Sequence, residues 1–270
     1  MKVVDAQVHP WKNGESTGHH RRTPITQDVL EEEMLAAGVD RVVLVPPLWD
    51  PDGNAYALDM AQQAPEKFAV MGLLDTTVAA GPDLAERVRN WRSQPGMVGI
   101  RLLLNTPDRL APWTQGQLDA LWPVAEQSGL TVAMLIPGQL DIARQVAQAH
   151  PGMKLIVDHL GVPRGASGAA AFRHLPELLA LAQFPNVRVK AVGVGDYALD
   201  PYPFRSLDEP LKRVFDAFGA ERVIWGSDLT RLHHTYSQCV SHFRDHLAFL
   251  SEGELAAVMG RNMLDLLDWK

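Results

Sequence analysis

Polar side chains that could do catalytic chemistry stand at the ends of several apolar runs of this sequence. They are Asp5, Gln7 and His9 in the first run, Arg101 in the fourth, Asp158 and His159 in the sixth, Lys190 in the seventh and Asp228 after the eighth. Imidazoles and carboxylates transfer protons, and a buried arginine or lysine has to be paired because an isolated buried charge is costly. Each residue alone carries little information, but their convergence on one place would indicate an active site.

The elements that would bring these side chains together alternate along the chain. Short runs rich in β-branched residues predict strands at 2–8, 41–45, 68–74, 98–104, 130–136, 154–158, 187–192 and 222–225. Longer amphipathic stretches predict helices at 27–37, 83–91, 117–127, 141–149, 175–182, 207–218, 236–250 and 252–267. Strands that are apolar on both faces, such as 42–45, belong to parallel sheets covered by helices.

Eight such units predict an α/β fold, a single-domain (β/α)₈ TIM barrel covering residues 1–270, with an open doubly wound sheet as the alternative. An open sheet would leave two edge strands that need cover. In a barrel, side chains at the carboxyl ends of the strands point to one mouth. Period-two alternation in the first strand predicts that Asp5, Gln7 and His9 share a face.

Composition and charge restrict the classes of partner. The chain has 270 residues, 46% of them hydrophobic, and 32 acidic against 25 basic side chains give a net charge of −7. The composition is globular, and the negative charge disfavours nucleic acid and anionic membranes, which leaves a small-molecule substrate. The single cysteine, Cys239, excludes a disulfide framework.

The start of the chain carries no basic and apolar leader, and no apolar run approaches the roughly 20 residues that cross a bilayer. We therefore expect a cytoplasmic protein without a membrane partner. The sequence leaves open whether copies of the chain associate as a homo-oligomer.

Motifs spread over the whole chain resemble the amidohydrolase superfamily, and within it the amidohydrolase-2 group, which includes pyrone-dicarboxylate and sugar-acid lactonases. These motifs are Val4-Asp5-Ala6-Gln7-Val8-His9-Pro10-Trp11, Gly99-Ile100-Arg101, Asp158-His159-Leu160-Gly161, Trp225-Gly226-Ser227-Asp228 and Gly260-Arg261-Asn262-Met263-Leu264. The resemblance implies a barrel hydrolase with Asp228 as general base and His9 and His159 as site histidines. It also implies that Arg101 holds a carboxylate or carbonyl oxygen of the substrate.

The first strand departs from the superfamily pattern, in which two histidines separated by one residue hold a metal. Gln7 stands in place of the first histidine, and glutamine is a poor zinc ligand. We expect Gln7 instead to hydrogen-bond a substrate oxygen or Asp228. The expected cofactor is none, or a single weakly bound zinc ion held by His9, His159 and Asp228 with one position open for water.

The resulting hypothesis is a hydrolase that opens a cyclic ester, a lactone bearing a carboxylate. Asp228 would activate water, the two histidines and Gln7 would stabilise the oxyanion, and Arg101 and Lys190 would fix the acid group. The alternatives are a metal-dependent non-oxidative decarboxylase of the same superfamily and a ligand-binding pseudoenzyme. Gln7 disfavours the decarboxylase, and the retained carboxylate of Asp228 disfavours the pseudoenzyme.

Two other features suggest different chemistry. Gly193-Val194-Gly195-Asp196-Tyr197-Ala198 matches a dinucleotide-binding pattern, but Pro201 and Pro203 stand where the phosphate-binding helix should begin, which argues against a nucleotide. Lys190 within an apolar strand keeps a Schiff-base aldolase open as a further alternative.

Overall fold

Eight parallel strands follow one another in chain order in the computed structural model, which describes residues 1–79 and 81–270. The strands are β1 (Val4–Val8), β2 (Arg41–Leu44), β3 (Phe68–Leu73), β4 (Met97–Leu103), β5 (Thr131–Leu135), β6 (Lys154–Val157), β7 (Val187–Val192) and β8 (Val223–Gly226). Each pair of neighbours from β1 to β8 is parallel. All eight strands lie where the sequence predicts them, with ends within two residues of the prediction.

The sheet closes into a barrel because the segment after β8 returns to β1. The backbone N–H of Asp228 donates to the carbonyl oxygen of Gln7 at 3.0 Å. Next to it, the backbone N–H of Ser227 donates to the carboxylate of Asp5 at 2.9 Å. The structure therefore confirms the (β/α)₈ barrel, and the open doubly wound sheet is wrong because that fold leaves its edge strands apart.

Helices lie between the strands and after the last one. The α-helices are α1 (Gln27–Ala37), α2 (Gly53–Gln63), α3 (Thr76–Ala79), α4 (Leu84–Arg89), α5 (Pro107–Thr114), α6 (Leu121–Gln127), α7 (Leu140–Ala149), α8 (Gly168–Ala171), α9 (Leu175–Ala180), α10 (Asp208–Phe218), α11 (Tyr236–Ser241), α12 (Glu252–Ala256) and α13 (Asn262–Leu267). A tight turn at Asp158–Gly161 follows β6, with His159 and Leu160 in the left-handed region at φ of 55° and 53°. A short 3₁₀ segment, Val194–Tyr197, follows β7, and π-helical segments follow α11 (His242–His246) and α12 (Ala257–Arg261). Within the described residues, none of the helices combines the length and the apolar character needed to cross a membrane.

The hydrophobic pattern does not predict every helix. Helices α2 and α5 begin at Gly53 and Pro107, residue types that also start turns. Proline fits the first turn of a helix because its missing N–H would have no intrahelical partner there. The helix predicted at 236–250 ends as an α-helix at Ser241 and continues as the π-helical segment to His246.

The inner face of the barrel is apolar near the amino ends of the strands. There, alternate strand residues such as Val43, Ala133 and Ile156 form a buried cluster with Met263 and Leu266 of α13. A larger cluster fills the layer between the strands and the surrounding helices. The polar inward-facing residues lie further along the strands, towards the carboxyl ends.

Strand β1 departs from the alternation that the sequence predicts. Its register with β2 shifts between Asp5 and Val8. Asp5 consequently accepts a hydrogen bond from Tyr236 of α11 at 2.8 Å, whereas Gln7 lies 3.0 Å from His159 in the site. The prediction that Asp5, Gln7 and His9 share a face is therefore wrong for Asp5, because the irregularity breaks the period of two.

Candidate active site

A cavity of about 500 Å³ opens beyond the carboxyl ends of the strands. Four residues predicted for the site line it, namely His9, Arg101, His159 and Asp228. In a (β/α)₈ barrel this is the face on which the chemistry takes place. The structure thus brings together residues from β1, β4 and the ends of β6 and β8.

Asp228 lies between the two histidines at the floor of the cavity. Its Oδ1 is 3.1 Å from Nε2 of His9, and its Oδ2 is 3.8 Å from Nε2 of His159. The backbone of Asp228 has a φ of 56°, in the left-handed region that side chains with a Cβ seldom adopt. This conformation belongs to the sharp turn that leads out of β8.

His9 has an oxygen acceptor at each ring nitrogen. Its Nδ1 lies 2.6 Å from the carbonyl oxygen of Val45, and its Nε2 lies 3.1 Å from Asp228. Nδ1 donates to the carbonyl oxygen, which can only accept. Nε2 faces both the Asp228 carboxylate and the amide nitrogen of Gln7, which lies 3.4 Å away.

His159 is held differently. Its Nδ1 lies 3.3 Å from the carbonyl oxygen of Val192 and donates to it, which leaves Nε2 as an acceptor 3.0 Å from the amide nitrogen of Gln7. Burial and the charge of Arg231 lower the pKa of His159 to about 3. His159 is therefore neutral at physiological pH, and its Nε2 accepts a hydrogen bond from Gln7.

Gln7 and Lys190 lie one layer below the cavity. Both side chains are completely buried, and neither is among the lining residues. The ammonium of Lys190, which can only donate, lies 3.4 Å from Oε1 of Gln7 and fixes the amide so that Nε2 faces His159. The expectation that both bind substrate directly has to be revised to a supporting position, because the histidine layer separates them from the cavity.

Asp158 is the anion that pairs the buried cations of the barrel. Arg101 donates through Nε to its Oδ2 at 2.8 Å, and Lys190 lies 3.2 Å from its Oδ1. Burial alone would raise the pKa of Asp158, but the charges of Lys190 and Arg101 outweigh burial and lower it. Lys190 is thus an ion-pair partner without access to the cavity, which removes the observation that kept a Schiff-base aldolase open.

Arg231 is a site residue that the sequence prediction did not include. Its Nε lies 2.9 Å from Oδ2 of Asp228, and its guanidinium also lies 3.4 Å from the hydroxyl of Tyr197. Burial would raise the pKa of Asp228, but the charge of Arg231 and the hydrogen bond from His9 hold it well below its usual value. An arginine three residues after a strand-end aspartate was the available signal.

The segment that matches a dinucleotide-binding pattern packs against this arginine. Gly193 has a φ of 64°, and a Cβ added there would lie 2.7 Å from Nη2 of Arg231 and 3.3 Å from Cβ of Asp228. The chain continues as the short 3₁₀ segment Val194–Tyr197. Gly193 thus leaves room for the guanidinium, and no phosphate-binding helix follows it.

The loop after β1 covers one side of the cavity. His19 lines the cavity and contacts the hydroxyl of Thr230 through Nδ1 at 2.8 Å, and its ring lies 4.7 Å from that of Trp49. The backbone of Arg21 also donates to the carbonyl oxygen of Thr230 at 2.9 Å. Burial and the neighbouring His9 lower the pKa of His19 to about 3, so His19 presents a neutral ring to a ligand.

The cavity is strongly cationic. Of the described lining residues, four are arginines (Arg101, Arg109, Arg164 and Arg231), whereas Asp228 is the one acidic side chain. Because Asp228 is already paired with His9 and Arg231, the remaining positive charge is available to an anionic ligand.

The side chains do not fit a metal ion in this arrangement. Zinc would need lone pairs from both histidines, but Nε2 of His159 accepts a hydrogen bond from Gln7 and Nε2 of His9 faces Asp228. Residues 1–79 and 81–270 contain no group of three or more histidine, cysteine, aspartate or glutamate side chains that could hold a metal ion. Gln7 thus makes a hydrogen bond at the position where the superfamily pattern has a metal-binding histidine.

Comparisons with known proteins identify the family of the chain and agree with its fold. A family model described as Amidohydrolase matches residues 4–269. An L-fucono-1,5-lactonase of Burkholderia ambifaria is 30% identical over 263 residues, which cover 92% of this chain and 85% of that protein.

Solved structures show the same barrel. An amidohydrolase of Burkholderia multivorans with bound zinc superposes with a TM-score of 0.84 at 23% identity, covering 100% of both chains. A probable 2-pyrone-4,6-dicarboxylic acid hydrolase of Acinetobacter baumannii with bound citric acid gives a TM-score of 0.74 at 19% identity, covering 99% of this chain and 100% of that one. At these identities the likeness concerns the fold.

Proposed function

The chain belongs to the amidohydrolase family, and on that basis we propose that it hydrolyses a lactone that bears a carboxylate. The observation that carries the proposal is an ionised carboxylate, Asp228, placed at the floor of a cationic cavity beside His9 and Arg231. The name of the 30% identical relative, an L-fucono-1,5-lactonase, supports a cyclic ester as the reacting group.

Asp228 is the residue that receives the proton of the attacking water. The hydrogen bond from His9 and the charge of Arg231 hold its pKa low, so the carboxylate is fully ionised at neutral pH. A water hydrogen-bonded to it would be aimed into the cavity. A base of low pKa removes a proton only as the new bond forms, so it depends on a reactive carbonyl. A strained or activated ester meets this condition better than an amide.

The oxyanion is stabilised by the guanidinium group of Arg231 in this proposal. The expectation assigned that role to the histidines and Gln7, but His159 has only an acceptor on the side of Asp228, and Gln7 donates to His159 below the cavity. Arg231 lines the cavity and carries fixed N–H donors, whereas Arg101 is assigned to the substrate carboxylate. Such donors in a dry site are worth a few kcal/mol of barrier each, about 3 to 4 in a well-studied case.

The bonds and protons balance over two steps. Water oxygen forms a bond to the carbonyl carbon while its proton moves to Asp228, and the carbonyl oxygen becomes the oxyanion. Collapse of that intermediate breaks the ring C–O bond, and the leaving oxygen takes the proton back from Asp228. His9, whose Nε2 lies 3.1 Å from Oδ1, stays beside the carboxylate and holds its orientation.

The carboxylate of the substrate is bound by arginine. Arg101 uses Nε for Asp158, which leaves its terminal amino groups towards the cavity. A planar guanidinium grips a carboxylate with two parallel hydrogen bonds. Arg109 and Arg164 add positive charge nearer the rim.

No metal is required in this mechanism. The support is chemical: Lys190 orients the Gln7 amide, and that amide donates to the lone pair of His159 that a metal would need. A bound zinc ion would polarise the carbonyl or activate water. Binding it at His9, His159 and Asp228 would first have to displace the hydrogen bond from Gln7 to His159.

The decarboxylase alternative is less well supported by the same geometry. Protonation of a ring carbon needs an acid at the reacting centre, whereas Arg231 and His9 keep Asp228 ionised. The pseudoenzyme alternative gives no role to the ionised carboxylate of Asp228 on the cavity floor.

The proposal is tested by titrating acid release at constant pH, because opening a lactone liberates one proton per turnover at neutral pH. Lactones of equal ring size, with and without a carboxylate, form the panel, and released carbon dioxide is measured in parallel. We expect acid release that is faster with the carboxylated member. Carbon dioxide without acid release would favour the decarboxylase, and neither product from any lactone would contradict the proposed function.

A further inference from the structure

Asp5 is a buried carboxylate that does not reach the cavity. Its Oδ1 accepts the backbone N–H groups of Gln7 and Ser227, each at 2.9 Å. Its Oδ2 accepts the hydroxyl of Tyr236 at 2.8 Å and the hydroxyl of Ser227. Four donors therefore surround a side chain with no solvent exposure, and two of them belong to one residue beside Asp228.

The turn after β8 donates hydrogen bonds, and Asp5 accepts them. The hydroxyl oxygen of Ser227 accepts the backbone N–H of Leu229 at 2.9 Å, so its own proton is directed to Asp5. Ser227 thus connects the carboxylate to the residues on both sides of Asp228. The backbone of Asp228 is bonded as well, since its N–H donates to the carbonyl of Gln7 at 3.0 Å.

The turn needs such support because of its conformation. Asp228 has a φ of 56°, in the left-handed region that is less favourable than the right-handed one for a residue with a Cβ. Gly226 allows the strand to approach Asp5, since a Cβ there would lie 3.0 Å from Oδ1 of the carboxylate. Asp5 also accepts the backbone N–H of Gln7, so one carboxylate joins β1 to the end of β8, two of the strands that carry site residues.

From these contacts we infer that Asp5 is a positioning residue, which acts through Ser227 to hold the carboxylate of Asp228 in its catalytic orientation. The inference rests on the role proposed above for Asp228. It predicts that loss of the Ser227 connection affects the chemical step more than substrate binding, because the arginines that bind the carboxylate belong to other elements.

The chain offers a matched pair of variants that separates positioning from stability. S227A and Y236F each remove one hydroxyl that donates to the same oxygen, Oδ2 of Asp5. Only S227A also removes the acceptor of the Leu229 N–H in the turn. Tyr236 approaches Asp5 from α11 and is not part of the cavity lining.

Two measurements on the full chain test the inference. We expect S227A to lower kcat by roughly tenfold to a hundredfold with KM within about twofold, on the scale of a misplaced catalytic group. Hydrogen exchange of a peptide spanning residues 225–232 should become faster in S227A. Y236F should leave both kcat and the exchange of that peptide close to wild type, even if its melting temperature falls as far.

The outcomes distinguish this inference from the proposed function. If wild type opens no lactone, the proposed function fails, and the exchange comparison still decides whether Asp5 holds the turn through Ser227. Equal exchange in the two variants would overturn the inference. Faster exchange in S227A with unchanged kcat on an active wild type would overturn it too, because the turn would then not control the base.

Discussion

The guanidinium Nε of Arg231 lies 2.9 Å from Oδ2 of Asp228, so the proposed base carries a fixed positive charge beside it. Burial would raise the pKa of Asp228, but the charge of Arg231 helps to keep it well below its usual value of 3.8. The ionised form is present above the pKa and is lost as pH falls through it. The acid limb of kcat/KM for wild type should therefore lie below pH 3.8.

R231Q should move that acid limb to higher pH, because the variant loses the positive charge beside Asp228. Its kcat at neutral pH should also fall on the order of a hundredfold, the typical effect of losing one oxyanion donor. A pH profile of kcat/KM on buffers of constant ionic strength provides the measurement. An acid limb that does not move would show that Arg231 does not set the ionisation of Asp228.

R101K should raise KM for a carboxylated lactone by about tenfold or more, since a forked guanidinium is replaced by a single ammonium of different reach. Steady-state kinetics with the carboxylated and the neutral lactone measure the effect. The neutral lactone serves as the control and should show a smaller change in KM. Equal changes for the two substrates would contradict carboxylate binding by Arg101.

Chelation and Q7H test the role of the Gln7 amide. Wild type should keep its kcat after prolonged treatment with a strong chelator, because His159 accepts a hydrogen bond from Gln7. Q7H should raise the zinc content, measured by mass spectrometry of the purified protein, since it supplies a further nitrogen ligand. Q148H, at an exposed glutamine, is the matched control and should bind no additional zinc. Loss of wild-type activity on chelation and its recovery with zinc would contradict the metal-free mechanism.

Lys190 should matter for stability. K190M leaves Oε1 of Gln7 without its donor and Asp158 with one cation fewer, and breaking a buried pair costs about 3–5 kcal/mol. K212M removes an exposed lysine that pairs with Asp216 and should cost less than about 1 kcal/mol. Urea unfolding of both variants provides the comparison. Similar losses for the two would show that the buried network contributes little.

The barrel could be predicted from the sequence because each strand is a compact β-branched run separated from the next by an amphipathic segment. Because that periodicity is a local property of the sequence, it can be recognised without knowledge of tertiary contacts. The first strand shows the limit of the argument. The irregularity between Asp5 and Val8 turns Asp5 towards Tyr236, and nothing in the alternation of β1 signals it.

The sequence predicts which residues line the cavity better than it predicts their hydrogen bonds. His9, Arg101, His159 and Asp228 converge on the cavity as expected, since strand ends share one mouth. The ring of His9 is oriented by the carbonyl of Val45, the residue after β2, and the spacing of the sequence cannot reveal this contact. Arg231 lies in an irregular segment after β8, where no periodicity indicates the direction of a side chain.

The most direct test of the account is the turnover of D228N on the carboxylated lactone that wild type opens best. The variant keeps the shape of the side chain but cannot take a proton from water. We expect kcat to fall about a hundredfold or more, the scale of general-base catalysis, while the wild-type circular dichroism and melting temperature are nearly retained. A folded D228N that turns over within a few-fold of wild type would contradict the central claim that Asp228 activates the water.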